Sequence, residues 1–550
     1  MYSNKDNINI LTSLLIAHGI RQVVVCPGSR NAPIVHNLMA CGAMECYPVT
    51  DERSAGFYAL GMAQVQGWGV AVCVTSGSAL LNLLPAVAEA YYQGVDLVVI
   101  SADRPWAWID QQDGQTLPQP DALRPYTKKA VTIAEPHTAE ERWFCNRQVN
   151  EALLARYQKR RGVVHINVPL SEPLFDYSVM SLPQERVIEW WDSSQLSHEQ
   201  VALWLDKWDS SQRRMIVVGQ YPQQKLDTGL LSALEEEAVV VSESLSDAGG
   251  IKLADEVLAV TDDWKDYQPD FVLYIGGAVV SKRLKQLLRQ SAASYQCVVN
   301  AEGEIYDTFM HLQAVLSTDA NEVLRILCER ESNENGQLKG LFDEVKRQQG
   351  MANYLRLWRD SEAKERMKMK ESQPDFSAPA CVKYLEEQLA KVEYPYAVHY
   401  ANSSAIRFSN RYATRYSYCN RGVNGIEGSL STAAGMSVVT SKMVFCIIGD
   451  LSFFYDQNAL WNQNLRGNLR IVLFNNGGGD IFRNVKGMPA DDIRDKLVMA
   501  SHQTTAQGIC QQHDIVYRQA TDGEEMKAAI HQLLMIESNR PMVLEIRLSL

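Results

Sequence analysis

Residues 445–482, FCIIGDLSFFYDQNALWNQNLRGNLRIVLFNNGGGDIF, contain two apolar runs that each end in polar residues. The first run ends at Gly449-Asp450, and the second ends at Asn475-Asn476 before three glycines. Continuous apolar runs of this kind predict buried parallel strands, with a helix between them. Because ligands of open α/β sheets collect outside the carboxyl ends of the strands, we expect Asp450 and Asn476 to lie side by side.

A carboxylate and an amide oxygen at this spacing predict a site for a hard divalent ion. Mg²⁺ prefers octahedral oxygen ligands and is usually held by one or two protein groups together with substrate phosphates. The glycines at 477–479 allow the backbone to approach such a phosphate closely. The alternative is an ordinary βαβ unit with an Asp ending one strand and an Asn turn ending the other, which is common for either half alone.

Length and composition limit the class of protein. A chain of 550 residues is too long for one core and predicts roughly three to four domains. The formal net charge of −12 argues against nucleic acid as the main partner. Eleven scattered cysteines without a CxxC repeat indicate a reduced, cytoplasmic setting. The N-terminal segment, with Asp6 and His18, predicts an amphipathic helix and not a secretion signal, and no apolar run approaches the length of a membrane span.

Alternating strand and helix patterns predict an α/β fold of three doubly wound domains with parallel sheets. The predicted division is an α/β domain at 1–185, a central α/β domain at 186–345, a charged helical connector at 346–378 and a third α/β domain at 379–550. One of the predicted helices runs from Ala79 to Tyr92. The central domain has no GxGxxG motif, so a structural spacer is the favoured interpretation. The connector is predicted to be a solvated helix without a function of its own.

Polar residues follow the predicted strands of the first domain. Ser29 and Arg30 follow the first strand in CPGSRNAP, and Glu52 lies at a predicted helix start in TDERSAG. Taken alone, Glu52 is an acidic residue in a first helical turn that complements the macrodipole. For Gly77 and Asn82, close packing of a helix against a strand explains the residues about as well as a ligand does.

The segment at 445–482 resembles the diphosphate-binding signature of thiamine-diphosphate enzymes. Together with PGSRNAP, DERSAGFYALG, VTSGSALLNLLPA, SADRP, GVVHINVPLSEPL, NSSAIR and NRGVNGIEGSLSTAAG, it is similar over essentially the full length to one branch. That branch is the 2-succinyl-5-enolpyruvyl-6-hydroxy-3-cyclohexene-1-carboxylate synthases of menaquinone biosynthesis. The resemblance implies a transferase (carboligase) of the transketolase-like class, which decarboxylates 2-oxoglutarate and adds the succinyl carbanion to isochorismate. Two alternatives are another thiamine-diphosphate-dependent 2-oxo-acid decarboxylase or carboligase, and a regulatory or scaffold protein that retains the cofactor without turnover.

The resemblance also implies the cofactors and the subunit arrangement. Thiamine diphosphate is expected with Mg²⁺, or Mn²⁺ in its place, and the implied metal ligands are Asp450, Asn476 and the backbone carbonyl of Gly478. Glu52 is the implied catalytic residue, because a carboxylate at N1′ of the aminopyrimidine favours the imino tautomer that removes the C2 proton. The family pairs Glu52 with cofactor held by the third domain of a second subunit. We therefore expect a homodimer or a dimer of dimers, with small molecules as the other partners.

Further site residues are carried over from the matched motifs. The implied cofactor-binding residues are Glu52, Ser76, Gly77, Asn82, Ser403, Gly425, Ile426, Gly449, Asp450, Leu451, Ser452, Asn476, Gly478, Ile481 and Phe482. The implied substrate-binding residues are Ser29, Arg30, Arg104, Gln115, Lys282, Asn402, Ser403, Arg407, Arg421, Ile481 and Phe482. The two substrates carry four carboxylates between them, which arginine is suited to hold bidentately. Ser403 and Arg407 are assigned to the succinyl carboxylate or the adduct, and Arg30 and Arg421 to isochorismate.

Overall fold

The computed structural model describes residues 1–158, 160–188, 198–291, 294–330, 340–371, 376–484 and 487–548. The chain divides into two compact units, one formed by residues 1–191, 392–405 and 419–550 and the other by residues 192–391 and 406–418. The first unit contains two parallel sheets and the second contains one. Three parallel-sheet α/β domains are therefore confirmed. The predicted boundaries stay predictions, and the one after residue 345 lies inside a helix.

The N-terminal sheet is built from six strands. They are β1 (Gln22–Val25), β2 (Glu45–Pro48), β3 (Val70–Val74), β4 (Leu97–Asp103), β5 (Lys129–Thr132) and β6 (Val163–Pro169). Their order is β2-β1-β3-β4-β6-β5, and every neighbouring pair is parallel. The strand order reverses between β1 and β3, so the loops that follow these two strands flank the crevice where ligands of such sheets collect.

Helices connect these strands. They are α1 (Asp6–Ala17), α2 (Ala32–Ala40), α3 (Glu52–Gln66), α4 (Ser78–Asn82), α5 (Leu84–Gln93) and α6 (Ala139–Ala155), with short 3₁₀ turns at Trp106–Trp108 and Arg124–Tyr126. The prediction of one helix from Ala79 to Tyr92 is wrong, because Pro85 cannot continue the preceding helix and two helices form instead. The predicted N-terminal helix is present, but its polar face is not solvated: Asn7 is buried and its Nδ2 donates to the carbonyl of Ile133 at 3.0 Å.

The central sheet belongs to the second unit. Its strands are β7 (Arg214–Val218), β8 (Val239–Ser242), β9 (Phe271–Ile275), β10 (Tyr295–Val299) and β11 (Leu312–Leu316), in the parallel order β11-β10-β9-β7-β8. The helices of this region are α7 (His198–Ser210), α8 (Thr228–Leu234), α9 (Ala254–Ala259), α10 (Lys282–Gln290), α11 (Ala320–Glu329), α12 (Gly340–Glu371) and α13 (Ala378–Leu389), with a 3₁₀ turn at Lys265–Tyr267. Helix α14 (Ser404–Tyr412) and the short strand β13 (Ser417–Tyr418) come later in the chain.

Helix α12 corresponds to the predicted charged connector. The expectation of a fully solvated helix is wrong, because Tyr354, Leu355 and Trp358 are buried in a core with residues of β7, β8 and β9. Three apolar residues within two turns form a narrow stripe, which the many charged residues around them conceal in the composition. Helix α12 is therefore part of the central domain's packing.

The C-terminal sheet carries the predicted metal motif. Its five longer strands are β12 (Tyr396–Tyr400), β14 (Met443–Gly449), β15 (Leu469–Asn475), β16 (Val516–Ala520) and β17 (Met542–Arg547), in the parallel order β12-β14-β15-β17-β16. The helical segments are α15 (Ser429–Val438), α16 (Asp450–Tyr455), α17 (Gln507–Gln512) and α18 (Gly523–Met535), with short turns at Gln457–Leu460, Asp480–Asn484 and Arg494–Val498. Strands β14 and β15 are neighbours in register, with Gly449 opposite Phe474. The residues that follow both strands therefore meet at one edge.

Helices α3 and α15 join the N-terminal and C-terminal sheets at very close range. A Cβ atom on Gly61 would lie 2.0 Å from the carbonyl oxygen of Thr432, and one on Gly435 would lie 2.2 Å from that of Tyr58. Only glycine fits at either crossing point, because any side chain would overlap backbone atoms of the other helix. The helix that begins at Glu52 is thus packed directly on the C-terminal domain of its own chain.

All eleven cysteines are free. In the parts of the chain that the structure describes, no helix combines the length and the apolarity that crossing a bilayer requires.

Candidate active site

Asp450 is the first residue of α16 and follows β14 directly. It is 3% exposed, and its Oδ1 accepts the N–H of Leu451 at 2.7 Å. Its Oδ2 accepts the N–H groups of Asn476 at 3.1 Å and Gly478 at 3.0 Å. Burial raises the pKa of the Asp450 carboxyl, while the N–H donors of Leu451 and Gly478 oppose that shift. Hydrogen bonds to the Asp450 carboxylate, which follows β14, therefore hold the turn after β15 in place.

The side-chain amide of Asn476 faces two further oxygen atoms. One terminal atom of this amide lies 3.1 Å from Oδ2 of Asp450 and 2.7 Å from the carbonyl oxygen of Gly478. If that atom is nitrogen, it donates two hydrogen bonds. If it is oxygen, three oxygen atoms converge and require a cation between them.

The donor chemistry fits Mg²⁺. A carboxylate, an amide oxygen and a backbone carbonyl are hard oxygen ligands, and they leave other coordination positions to phosphate and water. Among the described residues, no group of three or more His, Cys, Asp or Glu side chains gathers as a metal site. The candidate set contains only one residue of those types, Asp450.

His502 lies beside this carboxylate, and sequence reasoning missed it. Its Nε2 is 3.4 Å from Oδ2 of Asp450, and its Nδ1 accepts the N–H of Thr504 at 3.1 Å. Because Nδ1 is an acceptor, the ring proton of the neutral imidazole is on Nε2. No local motif indicates this contact, since it depends on how the chain returns to the site after β15.

Asn402, which follows β12, holds the turn that precedes α15. Its Nδ2 donates to the carbonyls of Asn420 at 2.6 Å and Gly425 at 2.8 Å, and its Oδ1 accepts from Nη1 of Arg421 at 3.0 Å. The structure therefore brings together three of the residues named from sequence, namely Asn402, Arg421 and Gly425.

Ser452 and Ile426 connect this turn to α16. The hydroxyl of Ser452 donates to the backbone carbonyl of Ile426, while the Ile426 side chain remains 41% exposed. The exposed Ile426 side chain is thus fixed through its backbone to the helix that begins with Asp450.

Glu89 of α5 supports the same turn from the N-terminal domain. Its Oε1 accepts the N–H of Gly422 at 2.7 Å, and its Oε2 accepts that of Val423 at 2.6 Å. The carboxylate is 3% exposed. Sequence reasoning did not identify Glu89, which lies 333 positions from Gly422.

Glu52 is the first residue of α3 and is half-buried within the single chain. Its Oε2 accepts from Nδ2 of Asn82 at 3.4 Å. The neighbouring residues hold this helix start against the end of α16 and the turn after it. Asp51 accepts from Nδ2 of Asn458 at 2.7 Å, and Arg53 donates to the carbonyl of Tyr455 at 2.8 Å. The predicted acid is therefore held from both sides, with part of its surface open.

Two arginines lie at the rim of the N-terminal sheet. Nη2 of Arg30 is 3.0 Å from Glu172, and Nη1 of Arg104 is 3.4 Å from Asp113. Burial and the positive charge of Arg104 lower the pKa of Arg30, and the two acids oppose that shift. Two positively charged side chains therefore lie close together at this rim, and their acidic partners, Glu172 and Asp113, are both at least partly exposed.

Gly77 follows β3 with φ of +85°, and a buried hydrogen-bond chain holds it. Its N–H donates to Oε1 of Gln119 at 2.7 Å, Gln119 donates to Oδ1 of Asn167 at 2.8 Å, and Asn167 donates to Asp103 at 2.8 Å. Burial raises the pKa of Asp103, opposed first by the Asn167 hydrogen bond. A Cβ on Gly77 would lie 3.3 Å from the backbone of Gln115, so the predicted residues Gly77 and Gln115 are neighbours. Gln119, fully buried, was missed by sequence reasoning.

The remaining candidates are placed as follows. Ser76 is buried and Ser29 is exposed, while Ile481 and Phe482 are half-buried in the Asp480–Asn484 turn. Ser403 belongs to the first unit, and Lys282 and Arg407 belong to the second. The assignment of Ser403 and Arg407 to the succinyl carboxylate or the adduct stays a prediction.

Known families match the two domains that carry these residues. Residues 8–123 match the family described as thiamine pyrophosphate enzyme, N-terminal TPP binding domain, and residues 401–546 match the corresponding C-terminal TPP binding domain. Glu52 lies in the first match and Asp450 in the second.

Similar full-length proteins carry one shared name, 2-succinyl-5-enolpyruvyl-6-hydroxy-3-cyclohexene-1-carboxylate synthase. The chain is 42% identical to the protein of that name from Bacteroides thetaiotaomicron, over 99% of this chain and 96% of the relative. It is 40% identical to that from Phocaeicola vulgatus, over 99% and 96%, and 33% identical to that from Desulfotalea psychrophila, over 98% of each.

Proposed function

Because the chain belongs to the 2-succinyl-5-enolpyruvyl-6-hydroxy-3-cyclohexene-1-carboxylate synthase family of thiamine-pyrophosphate-dependent enzymes, we propose that it joins 2-oxoglutarate to isochorismate. In this reaction 2-oxoglutarate loses CO2, and the remaining four-carbon unit adds to the isochorismate ring in a 1,4 sense. The enzyme is thereby a transferase of menaquinone biosynthesis. The observation that carries the proposal is the meeting of Asp450, Asn476 and Gly478 beyond β14 and β15, where Oδ2 of Asp450 accepts the N–H groups of Asn476 and Gly478.

Asp450, Asn476 and the carbonyl of Gly478 are the residues that would hold Mg²⁺, or Mn²⁺ in its place. The metal would in turn bind the diphosphate, near the helix start of α16, whose first N–H groups favour an anion. Ser452 and Leu451 belong to that first turn. This arrangement gives a role to Asp450 and Asn476, the residues that directly follow the two strands.

Glu52 is the residue proposed to exchange a proton with the cofactor. When bound, thiamine diphosphate would supply an acidic carbon that, once deprotonated, can add to the 2-oxo group and then accept the electron pair left by CO2. The Glu52 carboxyl would donate its hydrogen bond to a ring nitrogen and thereby set the protonation of the neighbouring amine. Its hydrogen bond with Asn82 and the fastening of α3 on both sides hold this carboxyl in one orientation.

The arginines would hold the substrate carboxylates. Arg30 and Arg104 lie together at one rim and Arg421 is oriented by Asn402, so each presents a guanidinium whose fork matches a carboxylate. A carboxylate of the substrate would replace Glu172 or Asp113 as the partner of the rim arginines. Lys282 and Arg407 are proposed as further cations on the sequence resemblance alone.

A second subunit is proposed to complete the site. Glu52 keeps part of its surface open in the single chain, which leaves room for cofactor held by the C-terminal domain of another copy. Because each site would then use residues of two chains, the proposed assembly is a homodimer or a dimer of dimers. The eleven free cysteines support a cytoplasmic location.

An assay with single omissions tests the proposed reaction. CO2 release and isochorismate consumption are measured together in the presence of Mg²⁺, thiamine diphosphate and both substrates, and each of the four components is then left out in turn. We expect both signals to need all four components and to be equal in amount. Undiminished CO2 release without isochorismate would instead identify a simple 2-oxo-acid decarboxylase, and no turnover with all components present would contradict the proposal.

A further inference from the structure

We propose that His502 is a positioning residue for the proposed metal site, acting through the Asp450 carboxylate. This inference rests on the proposed function, because it gives His502 a role only if Asp450 binds a divalent cation. His502 would hold Oδ2 of Asp450 with its Nε2–H and so fix the orientation of the carboxylate. None of the motifs that indicated the site includes His502.

A hydrogen bond to the His502 ring determines which of its two nitrogens carries the proton. Thr504 donates its N–H to Nδ1 at 3.1 Å, so the neutral ring carries its hydrogen on Nε2. That Nε2 atom is buried and has no hydrogen-bond partner among the described residues, while Oδ2 of Asp450 lies 3.4 Å away. An unpaired buried N–H is unfavourable, so a small movement that brings this donor to the carboxylate is favoured.

The ring is held in this place from several sides. The N–H of His502 donates to the carbonyl of Gly477 at 2.9 Å, and the ring packs edge-on against Phe454 with 5.3 Å between centroids. Because Gly477 belongs to the metal-site turn and Phe454 to α16, His502 contacts both segments that carry the proposed ligands.

A buried carboxylate anchors the loop that carries His502. Glu545 of β17 is fully buried, and its Oε2 accepts the N–H of Ala506 at 3.0 Å. Its Oε1 accepts from Nδ2 of Asn475, which also donates to the carbonyl of Thr504 at 2.8 Å. The first asparagine of the Asn-Asn pair therefore ties the His502 loop to the sheet, while Asn476 faces Asp450.

The expected consequence is a metal affinity that depends on His502. Residues that orient metal ligands by hydrogen bonds typically change metal affinity or activity by about 10–100-fold when they are replaced. Oδ2 of Asp450 also accepts two backbone N–H groups, so loss of His502 should loosen the carboxylate without releasing it. We therefore expect an effect near the lower end, about tenfold.

Two amide variants distinguish positioning from simple packing. In His502→Asn the side-chain oxygen can still accept the Thr504 N–H, but no donor reaches Asp450. In His502→Gln the longer side chain places an amide N–H near the position of Nε2. His531→Asn, at an exposed histidine of the same domain, is the matched control.

The measurement is the Mg²⁺ concentration for half-maximal binding of thiamine diphosphate to the full-length protein, followed by tryptophan fluorescence without substrates. Mn²⁺ binding by electron paramagnetic resonance gives a second readout that does not need turnover. We expect His502→Asn to raise the half-saturating Mg²⁺ concentration about tenfold, His502→Gln to recover most of the loss, and His531→Asn to match the wild type. At saturating Mg²⁺ all variants should bind the cofactor equally.

Each other outcome overturns a specific statement. Unchanged Mg²⁺ dependence in His502→Asn removes the proposed role, and equal defects in the Asn and Gln variants assign His502 to packing. A defect that persists at saturating Mg²⁺ shows that His502 contacts something other than the metal ligand. If cofactor binding by the wild type does not depend on a divalent ion, the proposed metal site itself fails.

Discussion

Replacing Gly61 with alanine tests whether the crossing of α3 and α15 sets the position of Glu52. The added Cβ would lie 2.0 Å from the carbonyl oxygen of Thr432 and 3.1 Å from the backbone nitrogen of Met436. Restoring ordinary contact at 3.4 Å requires the helices to move apart by roughly 1.4 Å. Overpacking of this kind destabilises a protein by about 1–3 kcal/mol, and a misplacement of about 1 Å can lower a rate roughly 100-fold.

The assay compares turnover, cofactor binding and thermal stability in the Gly61→Ala variant. We expect kcat to fall about 100-fold and the Tm to fall by several degrees, while Mg²⁺-dependent binding of thiamine diphosphate changes little. Binding is spared because the proposed metal ligands lie at the start of α16 and in the turn after β15, outside the crossing. Gly508→Ala is the control, since Gly508 lies in α17 with no atom within 4 Å of an added Cβ.

The control should keep full activity and the wild-type Tm or a slightly higher one, because alanine favours a helix over glycine. The reasoning is refuted if Gly61→Ala turns over at the wild-type rate. It is also refuted if cofactor binding falls as far as turnover, since the crossing would then control the metal site and not Glu52.

Three further changes have defined outcomes. Glu89→Gln removes the charge that holds two backbone N–H groups of the Arg421 turn, so we expect a higher KM for isochorismate, and an unchanged KM would contradict that role. Burial raises the pKa of Asp456 from 3.8 to about 7. The folded state therefore keeps a proton that the unfolded state releases, and the free energy of unfolding falls as pH rises between about 4 and 7. Asp456→Asn should abolish this fall, so the Tm of the variant relative to that of the wild type should rise from pH 5 to pH 7. A difference in Tm that does not change with pH would refute the assignment. Arg407→Ala should raise the KM for 2-oxoglutarate with cofactor affinity unchanged, whereas equal loss of both indicates a structural role.

The proximity of Asp450 and Asn476 was predictable because its information is local. Two apolar runs specify neighbouring strands, and the register of β14 on β15 then brings Asp450 and Asn476 together without help from distant segments. The same holds for the start of α3, where Asp51 caps the helix by accepting the N–H of Ser54 at 3.2 Å. The position of residues at the ends of parallel strands could therefore be predicted from sequence, while their role in binding stays a prediction.

The supporting residues were not predictable because their partners lie far away in the chain. Glu89 accepts hydrogen bonds from a turn that lies 333 positions later in the chain. Nε2 of His502 comes close to Oδ2 of Asp450 only because the chain returns to the site after β15. Isolated glutamate and histidine residues carry no periodic signal. Trp358 was misjudged for a related reason, since the charged residues around it outweigh its short apolar stripe in α12.

The role of Glu52 is tested most directly by the exchange of the C2 proton of bound thiamine diphosphate with deuterium, followed by NMR after rapid acid quench. The comparison is between the wild type and Glu52→Gln, both at saturating Mg²⁺ and cofactor. We expect Glu52→Gln to bind the cofactor as the wild type does and to slow the exchange by at least about 100-fold. Exchange at the wild-type rate in Glu52→Gln would contradict the account.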